Sequence, residues 1–455
     1  MKASRVEASA VVDGTAAHGV SLRQAILVWL RVAALSFGGP AGQIAVMHRI
    51  LVEEQKWIGE SRFLHALSYC MLLPGPEAQQ LATYIGWMMH RTWGGIVAGT
   101  LFFLPSVFIL AALSWIYLAY GHVPLVAGLF YGVKPAVVAI VLVAAHRIGS
   151  RALRNAWLWT IAAAAFLAIF ALGVPFPAIV LAAGIAGYVG GRVAPDRFNA
   201  GGTHAAAAAK AYGPAIIDDD TPTPSHALFS WRKFWRHLGA GLGLWLVALG
   251  LLAAAIGGEG TLVQMGWFFT KAALLTFGGA YAALPYVYQG AVETFHWLTP
   301  QQMIDGLALG ETTPGPLIMV VAFVGFVGAW GQAVFGTDAP AAAGIAGALV
   351  ATFFTFLPSF VFIFLGAPFI ESTHGNLKFT APLTGITAAV VGVVLNLAFF
   401  FAWHVLWPAG FAGRFDLFAA LVGAGALVAL LRYKIGVIPV IAACAALGLA
   451  ATLLT

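Results

Sequence analysis

The sequence predicts an all-α, polytopic integral membrane protein made of two homologous repeats, and three observations carry that expectation. Hydrophobic residues make up 61% of the chain and charged residues only 9%, against roughly 25% charged in ordinary soluble domains. The apolar residues fall into a succession of segments near the ~20 residues that a helix needs to cross a bilayer. The second half of the chain then repeats the first.

The repeat is read from residue identities at fixed offsets. Adding 240 carries Phe37-Gly38-Gly39 onto Phe277-Gly278-Gly279, Glu53 onto Glu293, Trp57 onto Trp297 and Pro74-Gly75-Pro76 onto Pro314-Gly315-Pro316. Further along, the offset grows to 253, where Phe103-Leu104-Pro105-Ser106 meets Phe356-Leu357-Pro358-Ser359 and Ala136-Val137-Val138 meets Ala389-Val390-Val391. The thirteen added residues fit a longer loop at 331–343.

Taken in order, residues 1–21 read as a short polar, cytoplasmic tail, with the first span as its own insertion signal. The first repeat, 22–191, divides into spans at 22–50, 62–90, 95–120, 133–147, 157–174 and 177–191. Pro-Gly-Pro breaks the second of these, because proline lacks an N–H and clashes with the preceding helical turn. Residues 192–236 form a polar linker with a five-alanine run and Asp218-Asp219-Asp220, expected to be disordered over much of its length. A connecting span at 237–257 has no partner in the first half, and the second repeat covers 262–455.

Six, one and six spans give thirteen. The unpaired span would turn the second repeat upside down. The charges agree: Arg147, Arg151, Arg154, Arg192, Arg197, Arg232, Lys233 and Arg236 share one side with Arg432 and Lys434 only in an inverted arrangement. Positive loops are cytoplasmic, which puts the N-terminus and linker inside. The count of six depends on the Pro-Gly-Pro segments crossing the membrane and not turning back.

The chemistry gathers at the broken helices, since freed backbone groups are tolerated at membrane depth only against protein or a watery cavity. Broken helices at matching positions of two halves point to a transporter's binding site. Candidate binding residues are therefore Phe37, Gly38, Gly39, Pro74, Gly75 and Pro76, with Phe277, Gly278, Gly279, Pro314, Gly315 and Pro316. Gln79 and Gln80 either donate to an oxyanion or bridge helices. Arg31 and Lys271, six residues before each Phe-Gly-Gly, either flank an anion path or snorkel to the interface. Glu77 sits in the first turn of a helix, where a carboxylate is favoured, and should stay ionised. In the second half Leu317 takes that place, which leaves the helix start after Pro316 free for an anion. Glu311 precedes the break at a helix C-terminal end, where dipole and desolvation both disfavour a charge. Glu311 is thus the stronger proton-coupling candidate and Glu77 the weaker. The competing reading for both is an ion pair with Arg31 or Lys271.

Several classes find no support. The histidines form no metal-ligand spacing, the two cysteines lie in apolar runs, and there is no Walker lysine motif. No flavin, haem or iron–sulfur signature is present, so the sequence calls for no cofactor and no catalytic residues. The net charge of +6 reports membrane orientation and gives no reason to expect a nucleic-acid partner.

The Phe-Gly-Gly-Pro at 37–40, the Leu-Pro-Gly-Pro-Glu-Ala-Gln-Gln-Leu-Ala-x-Tyr-x-Gly-Trp run at 73–87 and the Thr-Pro-Gly-Pro at 313–316 together resemble the chromate ion transporter family in its long, two-domain form. The resemblance implies chromate efflux across a bacterial inner membrane and chromate resistance. It makes chromate the partner in a lipid bilayer, with sulfate as a competitor, and is compatible with a homodimer. The residues themselves reach only an anion transporter built from two repeats. A sulfate or other anion transporter, an anion channel and a membrane-bound reductase stand as alternatives.

Overall fold

The protein is all-helical and polytopic. The computed structural model describes residues 19–37, 39–121, 123–198, 212–218, 221, 224, 226–277, 279–373 and 380–454. Most of the polar tail and part of the polar stretch between the halves fall outside these residues.

The first half opens with short helices. α1 (Leu22–Leu35) stops at Ser36, just before Phe-Gly-Gly, and α2 (Gly39–His48) starts after it. A π-helical turn, Arg49–Glu54, closes α2, and α3 (Glu60–Cys70) ends at Pro-Gly-Pro. α4 (Glu77–Tyr120) then runs long but loses helical geometry at His90 and Arg91. Four long helices complete the half or follow from it: α5 (Pro124–Ala152), α6 (Ala156–Leu172), α7 (Phe176–Val193) and, after the one-turn α8 (Pro195–Phe198), the connecting α9 (Trp231–Ile256).

The same succession then recurs. α10 (Thr261–Leu275) stops before the second Phe-Gly-Gly, α11 (Ala280–Tyr288) follows, and a π-helical turn occupies Gln289–Thr294, 240 residues beyond the first. α12 (Pro300–Thr312) ends at the second Pro-Gly-Pro. A 3₁₀ turn, Leu317–Met319, and α13 (Val320–Gly331) correspond to the start of α4, and α14 (Pro340–Thr373) to its remainder. The thirteen extra residues fall at the α13–α14 connection. α15 (Thr380–Leu406), α16 (Leu417–Leu431) and α17 (Val437–Leu454) close the chain. Even the rare left-handed non-glycine residues recur, with Lys56 at φ 54° and His296 at φ 51°.

The number of spans differs from the thirteen that apolar length suggests. Among the described residues, seven helices are long and apolar enough to cross a membrane, and three apolar helices are shorter. A hydropathy window joins residues that a backbone break separates. α1, at 14 residues, rises only about 21 Å, short of a ~30 Å hydrocarbon core. α2, α3, α10, α11, α12 and α13 are equally short, so the first two spans of each half are pairs of half-helices.

The long helices wrap this set of half-helices. α5 packs on α15, α16 and α17, α15 also on α6 and α7, and α14 on α4, α10 and α13. α9 stands apart, with Leu249 as its buried residue, as suits a helix that mostly faces lipid.

The linker also differs from expectation, because its C-terminal part is docked. Ile216 and Ile217 N–H donate to the Lys56 and Trp57 carbonyls, and the Gly59 N–H donates to Ile217 O at 2.8 Å. Ile217 and Ala227 are buried, and burying apolar side chains together with pairing their backbone makes order favourable there. The Asp218-Asp219-Asp220 triplet is not simply a solvated run: Asp218 caps its own turn through Thr221, while Asp219 and Asp220 lie outside the described residues. The His226 ring lies edge-on to Trp87 and bonds its carbonyl through Nε2 at 2.9 Å.

That contact is pH-sensitive. Burial holds the His226 imidazole below its ordinary value of 6.5, against the pull of its backbone hydrogen bonds, and the Arg91 and Lys233 charges add to the lowering. A base lowered on docking contributes stability above its unfolded pKa and loses it as pH falls through the folded value. Limited proteolysis at 212–236 should therefore accelerate between pH 7.5 and pH 5 in the wild type, and His226→Gln should flatten that dependence.

Candidate functional site

The two Pro-Gly-Pro breaks dock on each other's half. Both central glycines take left-handed φ, 124° at Gly75 and 115° at Gly315, a region that a side chain disfavours. In this geometry the Gly75 N–H donates to Thr276 O, and the Gly315 N–H donates to Ser36 O, each at 2.8 Å. Ser36 and Thr276 are the residues that end α1 and α10 before Phe-Gly-Gly. The offset of 240 carries one bond onto the other, and such reciprocity marks a twofold relation. At the other offset, Phe103 stacks on its own counterpart Phe356, with centroids 4.2 Å apart and planes at 18°. A residue of the first half thus meets the residue at the matching position of the second.

The two breaks differ in what surrounds them. At the second, Ser106 Oγ donates to Pro314 O, and Gln43 Nε2 donates to Gly315 O at 2.6 Å. Leu317, Ile318, Met319 and Val320, all buried, follow Pro316, so the helix start expected there to be free for an anion carries only apolar side chains. At the first break, Gln80 Nε2 donates to Pro74 O at 2.8 Å. Gln79 Nε2 donates to Thr83 Oγ1 at 3.0 Å. Gln79 Oε1, Gln80 Oε1 and Ser359 Oγ are buried there with no hydrogen-bond partner. Pro76 caps α4 without a side-chain bond, as Pro316 does at the second break, so the capping residue supplies no partner to the first N–H groups of α4. Unpartnered polar groups at depth are costly, and they gather at one break only.

Carboxylates lie beside both breaks. Glu311 is buried in α12 and accepts a 2.5 Å hydrogen bond from Tyr281 OH of α11. The Arg147 guanidinium of α5 acts on it electrostatically. Glu77 reaches across to the second Phe-Gly-Gly, where its Oε1 lies 3.7 Å from the position a Cβ on Gly279 would take. Neither carboxylate pairs with Arg31 or Lys271.

Those two cations do not join the group. Arg31 is half-exposed and bonds Glu54 at 2.7 Å, and Lys271 is exposed. Their long stems carry the charge outward from α1 and α10, as snorkelling side chains do. Phe37 and Phe277 are half-buried next to the cross-bonded carbonyls, and Gly39 and Gly279 take positive φ at the starts of α2 and α11. Gly38 and Gly278 lie outside the described residues.

Sequence reasoning missed two polar bridges between the halves. Arg62 of α3 pairs with Glu371 of α14, which also accepts from Tyr84 OH. Asp305 of α12 accepts from Tyr117 OH of α4 at 2.9 Å and lies 3.6 Å from Lys134 Nζ of α5. Asp305 and Glu371 stand in apolar segments, and that was the available signal, because intramembrane carboxylates call for partners. Among the described residues no cluster of three or more His, Cys, Asp or Glu side chains could hold a metal ion.

Half-helices whose tips meet inside a bundle of long apolar helices define an integral membrane transporter. The chain belongs to the chromate transporter family, whose model matches residues 23–188 and 263–449. It is thus a member of a transporter family and not of an enzyme family. It is 31% identical over 447 residues to the chromate transport protein of Cupriavidus metallidurans, covering 96% of each chain. It is 34% identical over 377 residues to the chromate transport protein of Pseudomonas aeruginosa, covering 82% of this chain and 80% of the other. A probable chromate transport protein of Synechococcus elongatus is 29% identical over 375 residues, or 82% and 83% of the two chains. No solved structure matches the chain.

The glycines at the breaks can be tested directly. A Cβ on Gly75 would lie 2.5 Å from Ser359 Oγ, and one on Gly315 would collide with Ser106 Oγ. Gly75→Ala and Gly315→Ala should each cost at least about 2 kcal/mol through strain alone, read as a lowered Tm in detergent and lost transport. Gly425→Ala, in mid-helix with open space around it, should be neutral or stabilising by up to ~1 kcal/mol.

Proposed function

We propose that the protein is a secondary transporter that exports chromate across the bacterial inner membrane and so confers chromate resistance. The observation that carries this reading is the pair of cross-docked breaks. One holds an unpartnered buried hydroxyl, Ser359, beside the Gln80 carboxamide N–H and a helix start, donors suited to an anion, and the other holds a buried carboxylic group suited to a proton. The names of the relatives supply chromate, and sulfate is the competing tetrahedral oxyanion.

The driving force follows from charge. Moving a dianion out of a cell with a negative interior releases about 2 × 2.3 kcal/mol per 100 mV. The anion binds at Gly75, the carboxamide N–H groups of Gln79 and Gln80 and the start of α4, where N–H groups and the positive end of the helix dipole favour negative charge, with the Glu77 carboxyl of that first turn directed across to Gly279. Glu311 exchanges a proton through the second break, where Tyr281 OH donates a hydrogen bond to its carboxyl oxygen. Chromate uptake into everted vesicles, with potential and pH gradient collapsed separately, tests the reading. No chromate uptake under either gradient would sink it. Uptake sustained by the pH gradient alone would place more of the work on protons.

Two homologous, inverted repeats fit this mechanism, because alternating access then amounts to one half rocking against the other. If α1 and α2, and likewise α3 and the first part of α4, enter and leave by the same face, each half has four crossings and α9 adds one. The second half is then inverted, and Arg91, Arg147, Arg192, Arg232, Arg432 and Lys434 all lie inside. Reporter fusions after Gly202 and after Thr455 should report opposite faces, the linker inside and the C-terminus outside. A common face for both would exclude the inverted arrangement.

The proton role has its own outcome. Initial chromate flux against pH, at clamped potential, should lose its pH dependence in Glu311→Gln while potential-driven flux persists. Tyr281→Phe should shift the pH dependence without abolishing it, because it removes a hydrogen bond to the carboxylate and leaves the carboxylate itself. An unchanged pH profile in Glu311→Gln would remove Glu311 from the mechanism.

A further inference from the structure

Ser106 and Ser359 occupy matching positions of α4 and α14, each following the proline of Phe-Leu-Pro-Ser, and each stands against the glycine of the other half's break. Their bonding differs. Ser106 Oγ donates to Pro314 O. The matching acceptor for Ser359 is Pro74 O, and Gln80 Nε2 already bonds it at 2.8 Å. The residue corresponding to Gln80 in the second half is Val320, which offers no donor. At that position a carboxamide N–H, where the second half has none, takes the contact with Pro74 O, and Ser359 Oγ makes no bond to it.

Ser359 does not turn back on its own helix either. Thr352 and Thr355 on the same helix bond the carbonyls four residues earlier, at 2.7 Å each, and Ser36 and Ser114 do likewise. Ser359 is fully buried, and among the described residues its hydroxyl is the one buried hydroxyl with no partner. Its oxygen lies 2.5 Å, and Gln80 Nε2 2.7 Å, from the point where a Cβ on Gly75 would sit. Both groups thus aim at one place, beside the uncapped start of α4. Gln80 has a second N–H to give there, since a carboxamide nitrogen carries two.

We propose that Ser359 is a binding residue for the transported oxyanion, and that each chain holds a single such site, at the first break. The inference rests on the reading of the protein as an oxyanion transporter. The ligand is a tetrahedral oxyanion bound by neutral donors: the Ser359 O–H from the second half, and the Gln80 N–H and first-turn N–H groups of α4 from the first. No methyl group fits between Gly75 and Ser359, so the anion is admitted as α14 draws away from the first break. One ligand then takes donors from both halves and holds them together. The second break offers no equivalent site, because its serine and its Pro314 and Gly315 carbonyls are already paired and Val320 replaces Gln80.

The test uses the full chain in lipid nanodiscs, with chromate and radiolabelled sulfate as ligands and wild type, Ser359→Ala, Ser359→Cys and Ser106→Ala as proteins. Kd, stoichiometry and Tm are measured for each. Ser359→Ala removes an unpaired hydroxyl, so Tm should hold or rise while affinity falls about tenfold or more. Cysteine keeps the volume but is a weak donor, and Ser359→Cys should lose affinity similarly, which covers the case of an alanine variant that does not fold. Ser106→Ala strands Pro314 O, so its Tm should drop while affinity stays within about threefold. The wild type should bind one oxyanion per chain. Wild-type affinity in Ser359→Ala or Ser359→Cys, equal losses in the Ser359 and Ser106 variants, or two oxyanions per chain would overturn the inference and leave the transporter reading standing. A wild type that binds neither anion would instead overturn the transporter reading, and the inference with it.

Discussion

A backbone N–H or C=O left unpaired in hydrocarbon costs several kcal/mol, and this chain exposes such groups at four places. It breaks α1 from α2 and α3 from α4, and it breaks the corresponding helices of the second half. Each half supplies the acceptor that the other half's glycine needs, through Thr276 and Ser36. Most other features depend on that exchange. The glycines are required because their N–H groups reach across only at left-handed φ. The serines of α4 and α14 lie where they do because the breaks press against those helices. The stacked Phe103 and Phe356 join matching positions of the two halves.

On this near-symmetric frame the two breaks have diverged. The first keeps Gln79 and Gln80 where the second has Met319 and Val320, and it keeps Glu77 where the second has Leu317. The second has gained Tyr281 opposite Glu311, where the first half has Ala41 and Met71. Polar side chains thus cluster after the break in one half and before it in the other. The bridges behind the breaks have diverged in sign as well. An arginine on α3 meets a glutamate on α14, while an aspartate on α12 meets a tyrosine on α4 and a lysine on α5. A buried pair of this kind adds little net stability but penalises removal of one partner strongly.

Much of this was legible in the sequence. The fixed offsets, the Pro-Gly-Pro breaks and the polar residues beside them follow from residue identity and elementary backbone chemistry. What offsets do not reveal is contact: 240 maps Gly75 onto Gly315, yet Gly75 bonds Thr276. The signal was nonetheless close at hand, since Ser36 and Thr276 are themselves 240 apart and directly precede Phe-Gly-Gly. The span count went astray because mean hydropathy cannot see a turn made of Phe, Gly and Pro. Arg31 and Lys271 were placed by depth along a span, but α1 and α10 end early and both side chains point outward. The docked part of the linker was hidden because two isoleucines and a histidine in polar surroundings carry no periodic pattern. Ser359 lies within the repeated Phe-Leu-Pro-Ser, and only its unbonded hydroxyl sets it apart from Ser106.

The reciprocal bond also governs how the chain is made. Gly75 emerges from the ribosome 201 residues before Thr276, an interval of about 10 to 40 s at ordinary rates of synthesis. Through that interval the first half sits in the membrane with its break unanswered, so it cannot settle into its final form. Its half-helices must shelter against the insertion machinery or against water until α10 arrives. Completion then comes in two steps, because Thr276 can answer Gly75 while Gly315, 39 residues further on, has still to be made and reach back to Ser36.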